Sequence, residues 1–187
     1  MTKYAIEVNA GERIGWFFDK AWDIATNSPT GPVQLAIPTN FLFSGAYAAE
    51  PAPTARRIDP KRKKMHKPGP NPDDLAEFSA LLASAKKPVV IAGPGVWYSH
   101  SEDAVGDFCA AHNIPIFQPV THVKSFLPGH QMNMGLMDYH QNPCSRMIGA
   151  ESDLVILLGG QLDFPLGFGE APLFGRDQTI VAVNPTA

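Results

Sequence analysis

Residues 87–97, KPVVIAGPGVW, narrow the possible folds more than any other stretch. Val89, Val90, Ile91 and Ala92 form an unbroken apolar run that ends at once in Gly93-Pro94-Gly95. A strand with one wet face alternates apolar and polar residues. A run apolar at every position suits a strand covered on both faces, as in a parallel sheet flanked by helices. Glycine at its end lets the backbone turn, or approach something closely, where a Cβ would clash. In open α/β sheets ligands bind beyond the carboxyl ends of the strands. Gly93 and Gly95 therefore mark a candidate ligand site, and they fit equally a tight strand-to-helix connection that binds nothing.

The same grammar repeats along the chain. Asn71 before Pro72, Asp73 and Asp74 predicts a helix start, with Asn71 as N-cap and the acidic pair facing the positive helix end. Leu75, Phe78, Leu81 and Leu82 give its buried stripe, and it stops near Ala85 and Lys86. Ser99-His100-Ser101-Glu102 reads as a capping box for a helix that turns Val105, Phe108, Cys109 and Ala111 inward and ends at Asn113. Residues 114–117, IPIF, follow as a second strand, parallel to the first if a right-handed crossover joins them. Residues 119–141 read as a long irregular loop, a length usually functional or disordered, in which Met132, Met134, Leu136 and Met137 pack over something apolar. Asn142-Pro143 opens another helix. Residues 153–158 are a third strand running into Gly159, Gly160, Gln161, Leu162 and Asp163, and residues 179–183 are a fourth, ending at Asn184. Four helix–strand alternations predict an α/β fold with a doubly wound, Rossmann-like parallel sheet over residues 72–187. Folds of this kind usually continue past a fourth strand, so this domain reads as truncated. The loop after the first strand lacks the third glycine of GxGxxG, so the dinucleotide fingerprint is absent.

Upstream, Ile14, Phe17, Phe18, Ala21, Trp22 and Ala25 recur at helical spacing, and residues 32–38, PVQLAIP, form a short proline-bounded strand. One helix and one strand cannot build a core, so residues 1–45 are expected to pack on the downstream domain or on another chain. Residues 46–71 are a Pro- and charge-rich linker. It holds seven of the fifteen Lys and Arg residues, but no aromatic residue is interleaved to stack on bases, which favours a solvated connection over a nucleic-acid site.

Composition excludes several classes. The net charge of −3 gives no general pull toward nucleic acid or acidic membranes. Cys109 and Cys144 lack CxxC spacing, which fits a reducing compartment better than a disulfide framework. No apolar run approaches the roughly 20 residues that span a bilayer, and the N-terminus lacks a signal-peptide pattern. These features together point to a cytoplasmic protein. His122, His130 and His140 do not have zinc-ligand spacing, and no GxSxG appears. The chain thus offers neither a metal site nor a catalytic residue.

The order KPVVIAGPGV, NIPIFQPVTHVKSFLPGH, SDLVILLGGQLDFPLGFGEAPLF and QTIVAVNPTA resembles the central domain of thiamine-diphosphate-dependent enzymes, in the branch of acetolactate synthase, oxalyl-CoA decarboxylase and 2-hydroxyacyl-CoA lyase. Residues 28–40, SPTGPVQLAIPTN, resemble the close of that family's N-terminal, pyrimidine-binding domain. The resemblance implies three regions: residues 1–45 as the end of the pyrimidine-binding domain, 46–71 as linker, and 72–187 as the central domain. It also implies that the catalytic glutamate and the Gly-Asp-Gly…Asn motif for diphosphate and Mg2+ lie outside this sequence. This chain alone is then expected not to bind thiamine diphosphate, and to need other chains, in a homo- or hetero-oligomer, that supply the rest of both flanking domains. In the family the central domain holds FAD in some branches and ADP in others, and CoA esters approach nearby. Carried onto this sequence, the nucleotide candidates are Gly93, Gly95, Thr121, Lys124, Gly159, Gly160, Gln161, Asp163 and Asn184. Backbone N–H groups at the glycines would meet phosphates and Lys124 would add a charge. Asn184 stands where the family often has an acid for ribose hydroxyls.

The implied function is the central, non-catalytic part of a lyase, decarboxylase or carboligase acting on 2-keto or 2-hydroxyacyl substrates, CoA-linked ones included. Two alternatives fit the same residues. One is a free-standing binder of ADP, FAD or NAD. The other is a structural subunit, which exposure of Trp16, Phe17 or Trp22 would favour.

Overall fold

The computed structural model describes residues 2–27, 30–43, 69–120, 127–138 and 142–184. The basic linker, Thr121, Lys124, His122 and His140 lie outside them. The chain forms two compact units, Met1–Pro68 and Gly69–Ala187.

In Met1–Pro68, strand β1 (Tyr4–Glu7), a 3-10 turn (Gly11–Arg13), helix α1 (Ile14–Thr26), strand β2 (Val33–Ala36) and helix α2 (Thr39–Phe43) follow in order. β1 and β2 are parallel, from Tyr4 opposite Val33 to Glu7 opposite Ala36. The Lys3 ammonium closes the helix by donating to the carbonyls of Ile24 (2.6 Å) and Asn27 (3.0 Å), a cation at the negative end of the helix dipole. Among the described hydrophobic residues here only Val8, Phe17 and Ala21 are buried, while Trp16, Phe18 and Trp22 are exposed. β1 does not stand out in the sequence, because Tyr-Ala-Ile-Glu offers too short an alternation to separate from a loop.

Gly69–Ala187 contains α3 (Pro72–Ser84), β3 (Pro88–Ala92), α4 (Pro94–Tyr98), α5 (Glu102–His112), β4 (Ile116–Pro119), β5 (Asn133–Met137), α6 (Pro143–Glu151), β6 (Leu154–Leu158) and β7 (Thr179–Val183). The five strands make one sheet in the order β5-β4-β3-β6-β7, with every pair parallel. The period of two along each strand divides the apolar runs between the faces. Val89, Ile91, Phe117, Val155 and Leu157 pack on one face with Met137, Leu166, Leu173 and Phe174. Val90, Ala92, Ile116, Leu154 and Ile156 pack on the other with Val96, Cys109 and Ile114. Full burial of such side chains is worth roughly 1.5–3 kcal/mol each, and this double core explains why runs apolar at every position are strands here. Burial also pushes the Cys109 thiol up to about 11, whereas Cys144 is exposed.

Local signals behave as their chemistry dictates at several ends. Asn71 caps α3, its Oδ1 accepting the Asp73 N–H at 3.0 Å. Asn142 does the same for α6 through the Cys144 N–H (3.1 Å). Asn113 closes α5 in the left-handed conformation (φ 54), and the Ile114 N–H reaches back to the Cys109 carbonyl. Asp153 ties the starts of β3 and β6 together by accepting the N–H groups of Lys86 (2.7 Å) and Lys87 (2.9 Å).

The structure also corrects the sequence reading. Among the described residues the sheet has five strands rather than four, because β5 lies inside the stretch expected to be irregular. Pro94 begins a short helix directly after β3, the tight strand-to-helix connection the sequence allows, and its fixed φ suits the first helical position. Ser99 is not an N-cap: α5 starts at Glu102, and the flanking Ser101 makes no side-chain capping bond. Leu75 and Ala111 face solvent rather than the core.

Candidate functional site

β3, β4 and β5 are laid down to one side. The chain then returns past β3 to place β6 and β7 on the other. The order reverses between β3 and β6, so their carboxyl ends define the topological switch point, where open α/β sheets form a crevice. The loops that leave these two strands are Gly93-Pro94-Gly95 and Gly159-Gly160.

These loops touch backbone to backbone. A Cβ on Gly93 would lie 2.6 Å from both the Gly159 carbonyl oxygen and the Gly160 Cα, and one on Gly95 would lie 2.6 Å from the Gly159 Cα. Gly159 also has φ 60, a conformation that costs any other residue strain. The hydrogen bonds run inward. The N–H groups of Gly93, Gly95 and Gly159 donate to the carbonyls of Leu158, Gly159 and Val183, each at 2.8 Å. The Asn184 side chain donates to the Gly160 carbonyl at 3.0 Å, drawing the end of β7 into the same joint.

The structure thus brings Gly93, Gly95, Gly159, Gly160 and Asn184 together, as the sequence suggests, but for a different immediate reason. The expectation that their N–H groups face phosphates needs correction. Three of those groups are spent within the joint, Pro94 has none, and Gly160 is buried against the Gly93 Cα. Gln161 follows on the surface. The Asp163 carbonyl accepts from the N–H groups of Leu166 and Phe168, both at 3.0 Å. One Asp163 carboxylate oxygen is buried with no hydrogen-bond partner among the described residues. Thr121 and Lys124 lie outside the described residues.

Sequence reasoning missed the aromatic residues that flank the joint. Trp97 and Tyr98 on α4 are exposed and meet edge to face, with centroids 5.0 Å apart. Phe164 and Phe168, in the 3-10 segment Phe164–Gly169, are 78% and 65% exposed, with Leu166 fully buried between them as an anchor. The available signal was aromatic residues placed just beyond glycine at two strand ends. A shallow hollow of about 240 Å3 lies at the amino ends of β3 and β4, lined by Pro88, Pro115 and Ile148 beside the exposed Lys87–Glu151 ion pair (2.8 Å). It is remote from the switch point and contains none of the candidate residues.

With this geometry in place, the comparisons are decisive on one point. The sequence model of the family described as "Thiamine pyrophosphate enzyme, central domain" matches residues 75–187. The chain belongs to the thiamine pyrophosphate enzyme family. It is 25% identical over 202 residues to a probable acetolactate synthase of Mycobacterium bovis, covering 98% of this chain and 31% of that protein. It is 24% identical over 162 residues to 2-hydroxyacyl-CoA lyase of Arabidopsis thaliana, covering 87% and 27%. The crystal structure of benzoylformate decarboxylase from Polynucleobacter necessarius shares the fold, with a TM-score of 0.68 at 20% identity over 98% of this chain and 33% of that one. The chain thus spans about a third of the length of the relatives it matches. The family name implies thiamine diphosphate. The sequence contains no Gly-Asp-Gly, and among the described residues no three His, Cys, Asp or Glu side chains could share a metal ion.

Proposed function

We propose that this chain supplies the central, architectural part of a thiamine-diphosphate-dependent lyase, decarboxylase or carboligase that acts on 2-keto or 2-hydroxyacyl substrates. The observation that carries the reading is the joint between the β3 and β6 loops. Its glycines serve backbone contact, and the N–H groups of Gly93, Gly95 and Gly159 are turned inward. Such a joint fixes the sheet's carboxyl edge as a rigid support, while thiamine diphosphate and Mg2+ are held by other polypeptide. Residues 1–45 act as the end of a pyrimidine-binding domain and complete their core against that polypeptide. Their exposed Trp16 and Trp22 support this role, although Phe17 is turned inside. Calorimetric titration of the chain alone with thiamine diphosphate and Mg2+ is expected to give no heat of binding. Mixing it with a polypeptide that carries Gly-Asp-Gly…Asn is expected to give a stable complex that turns over a 2-keto acid. Tight binding by the chain alone, or failure to join any such polypeptide, would overturn the proposal.

A second reading keeps ADP, FAD or a CoA ester at the switch point. The unpartnered Asp163 oxygen beside exposed Phe164 favours it, and Gln161, Asp163 and Asn184 would do the binding in place of the glycine amides. A nucleotide at one hundred times its dissociation constant stabilises the folded state by about 2.7 kcal/mol. A thermal-shift panel of adenine nucleotides that moves nothing would remove this reading and leave the first intact.

A further inference from the structure

One hydrogen-bond pattern recurs at four places among the described residues of Gly69–Ala187. A side chain accepts the backbone N–H of the residue two places on. Asn71 accepts from Asp73 (3.0 Å), Asn133 from Gly135 (2.9 Å) and Asn142 from Cys144 (3.1 Å). The fourth acceptor is His130, whose Nδ1 takes the Met132 N–H at 3.2 Å. An amide oxygen accepts at any ordinary pH. An imidazole nitrogen accepts only while it carries no proton.

The His130 bond sits in the turn that feeds β5. There the His130 N–H donates to the Leu127 carbonyl (3.1 Å), and the Asn133 N–H donates to the His130 carbonyl (3.0 Å). The Asn133 side chain also donates to the Leu127 carbonyl (3.1 Å). Leu127 stands at φ 48, a conformation that strains a leucine, so bonds and packing must hold the turn. Leu127 and Met132 pack against the core on the Cys109 side of the sheet. Gly106 on α5 lets the turn close in: a Cβ there would lie 2.9 Å from the Leu127 Cδ1 and 3.2 Å from the His130 Nε2. The Met132 carbonyl accepts the Ile116 N–H at 2.8 Å, where the pairing of β4 with β5 begins. The turn thus ties the start of β5 to both α5 and β4.

We infer that His130 is a proton-operated latch on the entry to β5. In the closed turn Nδ1 offers a lone pair, so the ring is neutral and its one proton sits on Nε2. A second proton can bind only at Nδ1, where it meets the Met132 N–H, donor against donor. The added proton and the closed turn exclude each other, so by linkage acid drives the turn open. Histidine is the side chain that ordinarily changes charge between about pH 5 and 8, which suits it to this use. The helix packed on the ring, α5, carries Glu102, Asp103, Asp107, Cys109 and His112, and β4 carries no titratable group. Among the described residues none of these groups forms an ion pair or hydrogen bond with the ring. No bonded carboxylate therefore offsets the charge that the ring gains.

Residue-resolved amide exchange of the intact chain between about pH 8 and 5, with nitrogen NMR of the His130 ring, tests this. As the ring takes up its proton, the protection factor at Met132 is expected to fall by up to about tenfold, the worth of one hydrogen bond. Asn133 should follow, while the amides of β3 and β6 keep their protection. His130→Asn supplies an acceptor that does not titrate, in the geometry that Asn71, Asn133 and Asn142 already use. It is expected to keep Met132 protected across the range, and His130→Ala to lose that protection throughout. A ring that stays neutral down to the acid limit, a ring that gains its proton while Met132 stays protected, or the same pH response in the asparagine variant overturns the inference.

Discussion

In Gly69–Ala187 a five-stranded parallel sheet is covered on both faces, and Val89, Val90, Ile91, Phe117 and Val155 are wholly removed from solvent. In Met1–Pro68 two parallel strands and a crossover helix repeat the same βαβ pattern, but burial among the described hydrophobic residues stops at Val8, Phe17 and Ala21. The local chemistry of the two regions is alike: each has parallel strands, a helix between them and a polar side chain that closes a helix end. What differs is how much apolar surface leaves water, and a two-stranded layer cannot offset the entropy of ordering its own chain. The larger unit therefore has a core covered on both faces, and the smaller one buries little apolar surface of its own.

The largest expected effect separates the two units directly. Phe117→Ala removes a fully buried ring from the larger core and should cost about 3–5 kcal/mol in denaturant unfolding. Phe17→Ala, in the smaller unit, should leave that main transition where it is. Equal losses would mean that the two cores are one. Next comes the joint at the switch point. Gly95→Ala drives a Cβ into the Gly159 backbone, which cannot swing aside as a side chain would, so a loss of about 1–3 kcal/mol is expected from overpacking. A neutral result would show that the loops have room for a ligand after all. Asn71→Ala removes the cap of α3 and should cost about 1 kcal/mol, read from the same transition.

The smallest effect is one of pH. The N–H of Lys86, joined by that of Lys87, holds the Asp153 carboxyl below its usual range, against a weaker opposing effect of burial. A lowered folded-state pKa contributes stability that is complete above about pH 4 and is lost as pH falls through the folded value. The wild-type chain should therefore lose more stability on acidification than Asp153→Asn does. Identical acid profiles would place the tie between β3 and β6 elsewhere.

β3 and β6 are legible in the sequence because a strand buried on two faces must be apolar throughout, and Lys-Pro or Gly punctuates their ends, while β7 is legible from its β-branched composition before Asn184. The start of α3 is legible because Asn-Pro-Asp-Asp satisfies cap, φ and dipole at once. β5 hides because Asn133 and Gly135 are poor strand formers, and this bulged edge is held by pairing with β4 rather than by propensity. On α1 the helical spacing is real, but only Phe17 and Ala21 are covered within the unit, so Phe18 and Trp22 look like core in the sequence and stand exposed in the structure. At the candidate site, the glycines announce a close approach but not its object. Only the fold brings Gly95 against Gly159, because their strands are neighbours separated by a long crossover.

Native-state amide exchange on the intact chain tests the central contrast most directly. The account predicts that the slowest amides of β3 and β6 exchange only through global unfolding, with free energies equal to that of the main transition, while those of β1 and β2 exchange through local opening at least about an order of magnitude faster. Protection of β1 and β2 equal to that of β3 and β6 would contradict it, because the smaller unit would then hold its structure without a partner.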